Sequence, residues 1–253
     1  MPNDSSIFPD RFTRTIDMYG EEGFAKIRNA SVAVIGLGGV GSHAATALAR
    51  GGIGSIKLVD FDLLTVSSLN RHPCASLADV GRAKTDILAE FLNKTCPDTA
   101  VNPIKEFFHT DTCDKIFSPI PDYVVDAIDS SNPKCALLEE CFNRKINVVS
   151  SMGASSHGDF SKIRTGDLFD STICPLASRI RKFLRRRNVG RGIQCVWSVE
   201  PHGPHLPPDI GDRTIERGRI RNRLPSSISM PGVFGYTIAS MILDNIAEKG
   251  SHK

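Results

Sequence analysis

The stretch Val32–Gly52, VAVIGLGGVGSHAATALARGG, joins a short apolar run to a glycine cluster and then to a series of small residues. The apolar run predicts a buried strand, and the small residues predict a helix. Gly36, Gly38 and Gly41 fit the pattern G-x-G-x-x-G, in which the backbone turns tightly and approaches a phosphate at a helix N-terminus. The stretch therefore predicts a nucleotide-binding turn.

Strand and helix signals alternate through the first 150 residues. The predicted strands are Ser31–Ile35, Ser55–Asp60, Thr99–Ile104, Tyr123–Ile128 and Asn147–Ser151, and the predicted helices are Ser42–Arg50, Ala83–Asn93 and one from about Pro133. Further on, we expect a helix at Ala177–Arg187, a strand at Ile193–Val199, an irregular loop at Pro201–Pro208 and a helix at Gly232–Ala247. The alternation predicts an α/β fold with a doubly wound, mainly parallel sheet.

Positive charge is concentrated in the last third of the chain. Between Ser171 and Met230 there are 12 Lys and Arg against 4 Asp and Glu, a net charge of +8, while the whole chain of 253 residues has only +3. We expect residues 1–170 to form the nucleotide-binding part of the protein and residues 171–253 a basic, partly irregular part of the same domain. Such a charge split indicates a polyanionic partner.

The 7 cysteines include no Cys-x-x-Cys pair. An odd number without that pairing argues against a disulfide framework and against a cysteine zinc site. No run of about 18 apolar residues occurs, so a membrane-spanning helix is not expected. These features predict a cytoplasmic protein that holds no zinc and does not associate with a membrane.

A set of polar residues falls at or just beyond the carboxyl ends of the predicted strands: Asp60, Asp62, Asn70, Arg71, Lys84 and Asp129. An open α/β sheet builds its ligand site at this edge. Arg and Lys can neutralise a triphosphate and an Asp can hold Mg²⁺, whereas a hydride-transferring site has no evident use for them. The residues therefore favour ATP over NAD, with Asp60 placed to contact the ribose.

Several motifs of the chain resemble those of the E1-like superfamily, which has a Rossmann-like adenylation fold. They are G-L-G-G-V-G, D-F-D, Asn-Arg, Gly-x-x-Lys and D-A-I-D-S. This superfamily includes ubiquitin-activating enzymes and bacterial enzymes that adenylate small sulfur-carrier proteins. The resemblance implies the following roles: phosphate binding by Gly36, Gly38, Gly39 and Gly41, ATP contacts by Asp62 and Asn70, charge stabilisation by Arg71 and Lys84, and Mg²⁺ binding by Asp129. Its leading R-x-x-R motif implies a homodimer in which Arg14 enters the partner's ATP site, and the superfamily also has room for a monovalent cation.

Within the superfamily, the chain is most similar to the branch that dehydrates threonylcarbamoyladenosine at position 37 of tRNA. The similar blocks run from about Arg11 to Leu243 and include R-F-x-R-T, V-G-R-A-K, Q-C-V-W-S-V-E and P-G-V-F-G-Y. The resemblance implies an ATP-dependent cyclisation through a carboxyl-adenylate. Ser68 stands where the superfamily usually has Asn, so Asn70 would substitute for it, and His72 stands where Gln is usual.

Seven cations lie between positions 179 and 191 without an acidic residue: Arg179, Arg181, Lys182, Arg185, Arg186, Arg187 and Arg191. A second cluster, Arg213–Arg223, adds five more cations with one Glu. Lys and Arg contacts to phosphates dominate the affinity of proteins for nucleic acids. The two clusters, together with the resemblance, predict contact with tRNA.

Three further questions stay open at the level of the sequence. Cys195 could form a covalent adduct or pack as a small buried residue, and we favour packing because a cyclisation needs no thioester. The protein could instead adenylate a sulfur-carrier protein and dock a sulfur-transfer partner, or act as an NAD-dependent oxidoreductase. A nucleotide-sensing, RNA-binding module without catalysis is a further alternative.

Overall fold

A single sheet of seven strands organises residues 11–201 and 224–248, which are the residues that the computed structural model describes. The strands are β1 (Ser31–Ile35), β2 (Ser55–Val59), β3 (Ala100–Ile104), β4 (Tyr123–Asp126), β5 (Asn147–Ser151), β6 (Ile163–Asp167) and β7 (Gln194–Ser198). Their spatial order is β3-β2-β1-β4-β5-β7-β6, and every neighbouring pair is parallel except β6 and β7. The predicted doubly wound, mainly parallel sheet is confirmed.

Helices cover both faces of this sheet. They are α1 (Thr13–Asn29), α2 (Gly39–Arg50), α3 (Lys84–Thr95), α4 (Cys113–Ile116), α5 (Ser131–Arg144), α6 (Pro175–Arg185) and α7 (Ser229–Ile246). Helices α1, α2, α3 and α7 supply side chains to one buried apolar cluster, and α4, α5 and α6 supply side chains to a second cluster on the opposite face. Among the described helices, none combines the length and the apolar character needed to cross a bilayer.

The sheet reverses its winding between β1 and β4. The chain runs from β1 through α2 to β2 on one side, and β4 pairs with β1 on the other side. The carboxyl ends of three neighbouring strands therefore open onto one crevice, which is where sheets of this kind bind ligands. The glycine turn that follows β1 lies at this crevice.

The structure contains elements that were not predicted, among them the short helix α4. The polar helix α1 has no equivalent among the predictions, and neither has β6, the antiparallel strand at the sheet edge. Strand β6 lies before residue 170 and β7 after it, so one sheet spans both predicted parts of the chain. Most of the predicted loop Pro201–Pro208 and all of the cluster Arg213–Arg223 lie outside the described residues.

Candidate nucleotide-binding site

The glycines of the turn after β1 differ in why a side chain is excluded at each position. Gly36 has a φ of +90°, and a Cβ there would lie 2.8 Å from the Ala127 carbonyl oxygen. A Cβ on Gly41 would lie 1.8 Å from the carbonyl oxygen of Gly36, so the first turn of α2 can pass over the loop only without a side chain. Gly38 faces open space, with no atom within 4 Å of its hypothetical Cβ. The partly exposed backbone at Gly38 is thus the part of the turn that a phosphate could approach.

Asp60, just after β2, holds this turn in place through hydrogen bonds to its backbone. Its Oδ2 atom accepts a hydrogen bond from the Leu37 backbone N–H at 2.6 Å, and its Oδ1 atom accepts one from the Asp62 N–H at 2.8 Å. Burial raises the pKa of Asp60, and the nearby Lys84 ammonium opposes that rise. A carboxylate has about four acceptor positions, so Asp60 can hold the turn and still accept a hydrogen bond from a ribose hydroxyl.

Lys84 begins α3 and extends toward the same two carboxylates. Its Nζ lies 2.6 Å from Asp62 Oδ2 and 4.0 Å from Asp60 Oδ2, and the residue is only 8% exposed. Burial alone would lower the pKa of Lys84, but Asp60, Asp62 and Asp129 outweigh burial and raise it. The side chain is therefore an ammonium ion at neutral pH, held at the crevice between carboxylates.

Arg71 and Asn70 lie on the other side of the turn, after the loop that follows β2. The aliphatic part of Arg71 packs against Gly39, 3.3 Å from the position that a Cβ would take there. The guanidinium of Arg71 donates to the Ser67 carbonyl oxygen at 2.7 Å and to Asn70 Oδ1 at 3.0 Å. Asn70 Nδ2 donates to the Ser226 carbonyl oxygen, so the predicted ATP contact also ties this loop to the segment before α7.

Asp129 is exposed in the loop between β4 and α5. The described residues contain no group of three or more His, Cys, Asp and Glu side chains able to hold a metal ion. Mg²⁺ is usually bound by one or two carboxylates together with substrate phosphates and water. One exposed carboxylate that is close enough to Lys84 to raise the pKa of its ammonium fits that donor set. Asp129 is therefore suited to bind Mg²⁺ together with a nucleotide.

Two histidines that the motifs did not assign to the site lie behind Arg71. His43 is 6% exposed and packs edge-on against Tyr236, with ring centroids 5.5 Å apart. His72 is 5% exposed, and burial, followed by the charge of Lys84, lowers its pKa to about 4. Both are therefore neutral at physiological pH. The position of His43 on the helix after the glycine turn favours a packing role, and its burial against Gly232 and Gly235 of α7 agrees with it.

The structure places two other predicted residues away from these contacts. Arg14 is exposed on the first turn of α1 and makes no hydrogen bond or ion pair with another described residue. Cys195 lies inside β7 with no exposed surface, and burial raises the pKa of its thiol to about 12. That environment suits a packing residue rather than a nucleophile.

The seven predicted tRNA contacts divide into two groups on and after α6. Four are engaged within the protein. Arg181 donates to the Ser171 carbonyl oxygen at 2.7 Å, and Arg187 and Arg191 pair with Glu139 and Asp170. Arg185 stacks over the ring of Phe169, 5.4 Å from its centroid. Arg179, Lys182 and Arg186 are exposed and have no hydrogen-bonding or ionic partner in the described part of the chain.

The chain is similar to known proteins over nearly its whole length. The family description "ThiF family" matches residues 12–251. The chain is 37% identical to tRNA threonylcarbamoyladenosine dehydratase 2 of Saccharomyces cerevisiae, over 97% of this chain and 58% of the yeast protein, so it spans less than two thirds of that relative. It is 31% identical to tRNA threonylcarbamoyladenosine dehydratase of Haemophilus influenzae over 96% of each chain.

Among solved structures, the chain is similar to tRNA N6-threonylcarbamoyladenosine dehydratase of Escherichia coli in complex with ATP. The TM-score is 0.84 and the identity 32%, over 97% of each chain. The complex of the same Escherichia coli protein with AMP gives a TM-score of 0.85 at 32% identity, over the full length of both chains. The similarity therefore extends over the sheet, the glycine turn and the helices on both faces.

Proposed function

The chain belongs to the ThiF family, and from this premise we propose that it is an ATP-dependent dehydratase acting on threonylcarbamoyladenosine in tRNA. The observation that carries the proposal is the buried Lys84 ammonium, held beside Asp60 and Asp62 at the glycine turn. Relatives with the dehydratase name, one of them solved with ATP, support the substrate. An oxidoreductase that transfers a hydride would have no evident use for the positive charges of Lys84 and Arg71.

The reaction joins an adenylation to a ring closure. The carboxylate of the threonyl group is ionised at neutral pH, so it needs no general base to attack the α-phosphorus of ATP. A new P–O bond forms and the bond to pyrophosphate breaks, which gives an acyl-adenylate. An atom of the neighbouring carbamoyl group then attacks the acyl carbon, loses a proton, and displaces AMP with the carboxylate oxygen. The nucleoside has lost one water, and ATP has become AMP and pyrophosphate.

The main task of the site is to bring two anions together. In our proposal the turn formed by Gly36, Gly38, Gly39 and Gly41 binds the phosphates, with the closest approach at Gly38. Asp60 binds the ribose, and Asp62 and Asn70 complete the ATP contacts. Arg71, Lys84 and Arg14 of the partner subunit stabilise the charge that develops as pyrophosphate leaves. This arrangement requires a homodimer. Asp129 would hold Mg²⁺, which neutralises phosphate charge when it is bound.

An assay of ATP consumption with Mg²⁺ tests the reaction. The products are separated as AMP and ADP, with and without tRNA carrying threonylcarbamoyladenosine, and the nucleosides are weighed by mass spectrometry. We expect AMP release that depends on the modified tRNA, together with a nucleoside lighter by one water. Lys84→Ala should abolish both, whereas Lys115→Ala should have no effect, because Lys115 pairs with Glu106 on the surface.

The same assay distinguishes the alternatives. AMP formation that depends on a small sulfur-carrier protein instead of tRNA would replace the dehydratase by an adenylyltransferase. No ATP turnover with either partner would contradict both reactions, and NAD binding would then be measured. Binding of nucleotide and RNA without turnover would indicate a non-catalytic module.

We also propose that the exposed cations of α6 bind the tRNA backbone. Arg179 and Lys182 of α6 and Arg186, which follows its last residue in a helical conformation, are spaced at i, i+3 and i+7, which places them along one face. Three other cations already have partners within the protein: Arg181 with Ser171, Arg187 with Glu139 and Arg191 with Asp170. We therefore assign these three to the stability of the fold. The three residues of the exposed face therefore carry the phosphate contacts.

The salt dependence of tRNA binding tests this division. Arg179→Gln/Arg186→Gln should reduce the slope of log K against log salt concentration by about 1.5 to 2, because each lost phosphate contact removes somewhat less than one unit. Arg187→Gln/Arg191→Gln removes the same charge from positions that are paired within the protein, and should change the slope by less than about 0.5. Equal slopes for the two double variants would contradict the proposed face.

A further inference from the structure

Two lysine–carboxylate pairs flank the glycine turn, one on each side of β1. The first, described above, joins Lys84 to the acids that follow β2 and opens onto the crevice. The second lies at the end of β4, where Lys134 Nζ contacts Asp126 Oδ2 at 2.6 Å. Neither partner of this second pair has any exposed surface. The motifs assign no role in the reaction to Lys134, which lies in the first half of α5.

The Asp126 carboxylate is the centre of a hydrogen-bonded network. Its Oδ2 atom also accepts from the Ser150 hydroxyl on β5 at 2.6 Å, and its Oδ1 atom accepts from the Ile128 backbone N–H at 3.1 Å. The next residue, Ala127, donates its N–H to the Ile35 carbonyl oxygen at 2.9 Å. The carbonyl oxygen of Ala127 lies directly beneath Gly36. One carboxylate thus fixes the backbone that supports the glycine turn from below.

The ion pair closes the loop that bears Asp129. Asp126 precedes Asp129 by three residues and Lys134 follows it by five, so the contact between the two side chains joins the start of the loop to the first turns of α5. The Lys134 backbone N–H also donates to the Ser130 carbonyl oxygen at 3.1 Å, in the first turn of that helix. The position of Asp129 therefore depends on the buried pair.

We infer that Lys134 is a positioning residue, which acts through Asp126 to hold Asp129 where it can bind Mg²⁺ with the nucleotide. A buried ion pair is often no more stabilising than apolar residues of similar volume. An apolar pair at these positions could not bond the Ile128 N–H and the Ser150 hydroxyl together. The charged pair is thus suited to fixing a loop, and the inference rests on the Mg²⁺ role that the proposed function gives to Asp129.

Nucleotide binding with and without Mg²⁺ tests the inference. Lys134→Met leaves a buried carboxylate unpaired and can fail to fold, so the main variant is Asp126→Asn/Lys134→Met. In it, the Asn amide can still accept from Ile128 and donate to Ser150, and no buried charge remains. We expect the Kd of ATP with Mg²⁺ to rise about 10- to 100-fold, as for other residues that orient metal ligands, and the Kd in EDTA to change less than about twofold.

A double-mutant cycle with Asp129→Asn and a measurement without nucleotide complete the test. If Lys134 acts through Asp129, the Asp126→Asn/Lys134→Met changes should add nothing to the Mg²⁺ defect of Asp129→Asn. Hydrogen exchange at the Ile128 amide should quicken in the nucleotide-free variant, because without the Lys134–Asp126 contact the loop opens more often, even though an amide at position 126 can still accept from Ile128 in the closed loop. Lys115→Met, at a surface pair, should leave this exchange unchanged.

Three outcomes would overturn the inference. They are equal losses of ATP affinity with and without Mg²⁺, additive effects in the cycle, and an Ile128 amide that exchanges as in the wild type. If the wild-type chain binds no ATP at all, the proposed function fails and the inference fails with it. Normal wild-type binding combined with any of the three outcomes removes only the role of Lys134.

Discussion

Gly38 and Gly41 lie three residues apart in the same turn, but a methyl group would have opposite consequences at the two positions. At Gly41 it would overlap the Gly36 carbonyl oxygen, which is backbone and cannot rotate away. At Gly38 it would meet no protein atom, and φ is an ordinary −72°. The fold needs the glycine at 41, whereas only a bound phosphate would need the glycine at 38.

We therefore predict that Gly41→Ala lowers the free energy of unfolding by about 3 kcal/mol or more, and that Gly38→Ala changes it by less than about 1 kcal/mol. Gly38→Ala should nevertheless weaken ATP binding at least about tenfold, because its methyl group occupies the space of a phosphate. Urea unfolding and ATP titration of the two variants measure both effects. Unchanged ATP affinity in Gly38→Ala would mean that phosphates do not approach the turn there.

The sequence reveals functional residues at strand ends more readily than buried residues that support the site. Lys84 was predictable because it belongs to a short motif close to other charged residues. Lys134 lies in α5, in an unremarkable S-N-P-K segment. Asp126 is fully buried, and its partners Lys134 and Ser150 come together only when β4, β5 and α5 pack.

Helix α7 packs against α2 over a more extensive contact than any other pair of described helices, and Gly235 allows the close approach. A Cβ there would lie 2.6 Å from the Val40 carbonyl oxygen and 2.7 Å from the Cβ of His43. At Gly232, one turn earlier, the nearest atoms of the His43 ring would be 3.5 Å away, which is ordinary contact. Gly232 therefore serves as the control position for a substitution at Gly235 on the same helix.

We predict that Gly235→Ala destabilises the protein by about 1–3 kcal/mol, because α7 must move away from α2. Gly232→Ala should be neutral or stabilising by up to about 1 kcal/mol, since alanine favours the helix. Denaturant unfolding compares them directly. Equal destabilisation by both substitutions would show that helix flexibility, rather than close approach, decides the effect.

The elements that sequence analysis located have strong local signals, and those it missed do not. The apolar runs of β1, β2, β4 and β5 predicted strands that the structure confirms almost to the residue. Strand β6, IRTGD, has no such run and contains Gly166, so only its pairing with β7 makes it a strand. Helix α1 is polar and bends at Gly20, where φ is +73°, which hides the periodicity of a helix.

For the molecule as a whole, buried histidines make stability depend on pH. The pKa of His72 is about 4 in the folded protein, against about 6.5 when unfolded. Between these values the unfolded chain binds a proton that the folded chain does not, so acid favours unfolding. The contribution of His72 is complete above pH of about 6.5 and is lost as the pH falls toward about 4, by up to about 3 kcal/mol.

We predict that His72→Gln reduces this loss. Glutamine does not titrate, and its amide oxygen can accept the hydrogen bond that the Cys74 N–H gives to His72. The free energy of unfolding in urea, measured at pH of about 7 and about 5, should therefore fall less for the variant than for the wild type. An identical fall in both proteins would assign the acid sensitivity to other groups, His43 first among them.

The packing of α7 against α2 also bears on how the protein is made. Residues 39–50 leave the ribosome long before residues 229–246, yet the buried face of the earlier helix, with Ala44 and Leu48, is covered by Phe234 and Ile238 of the later one. Pro231 of that later helix also packs on Gly39, at the phosphate-binding turn itself. The nascent chain therefore carries an apolar surface through most of its synthesis, and its nucleotide site is completed among the last steps of folding.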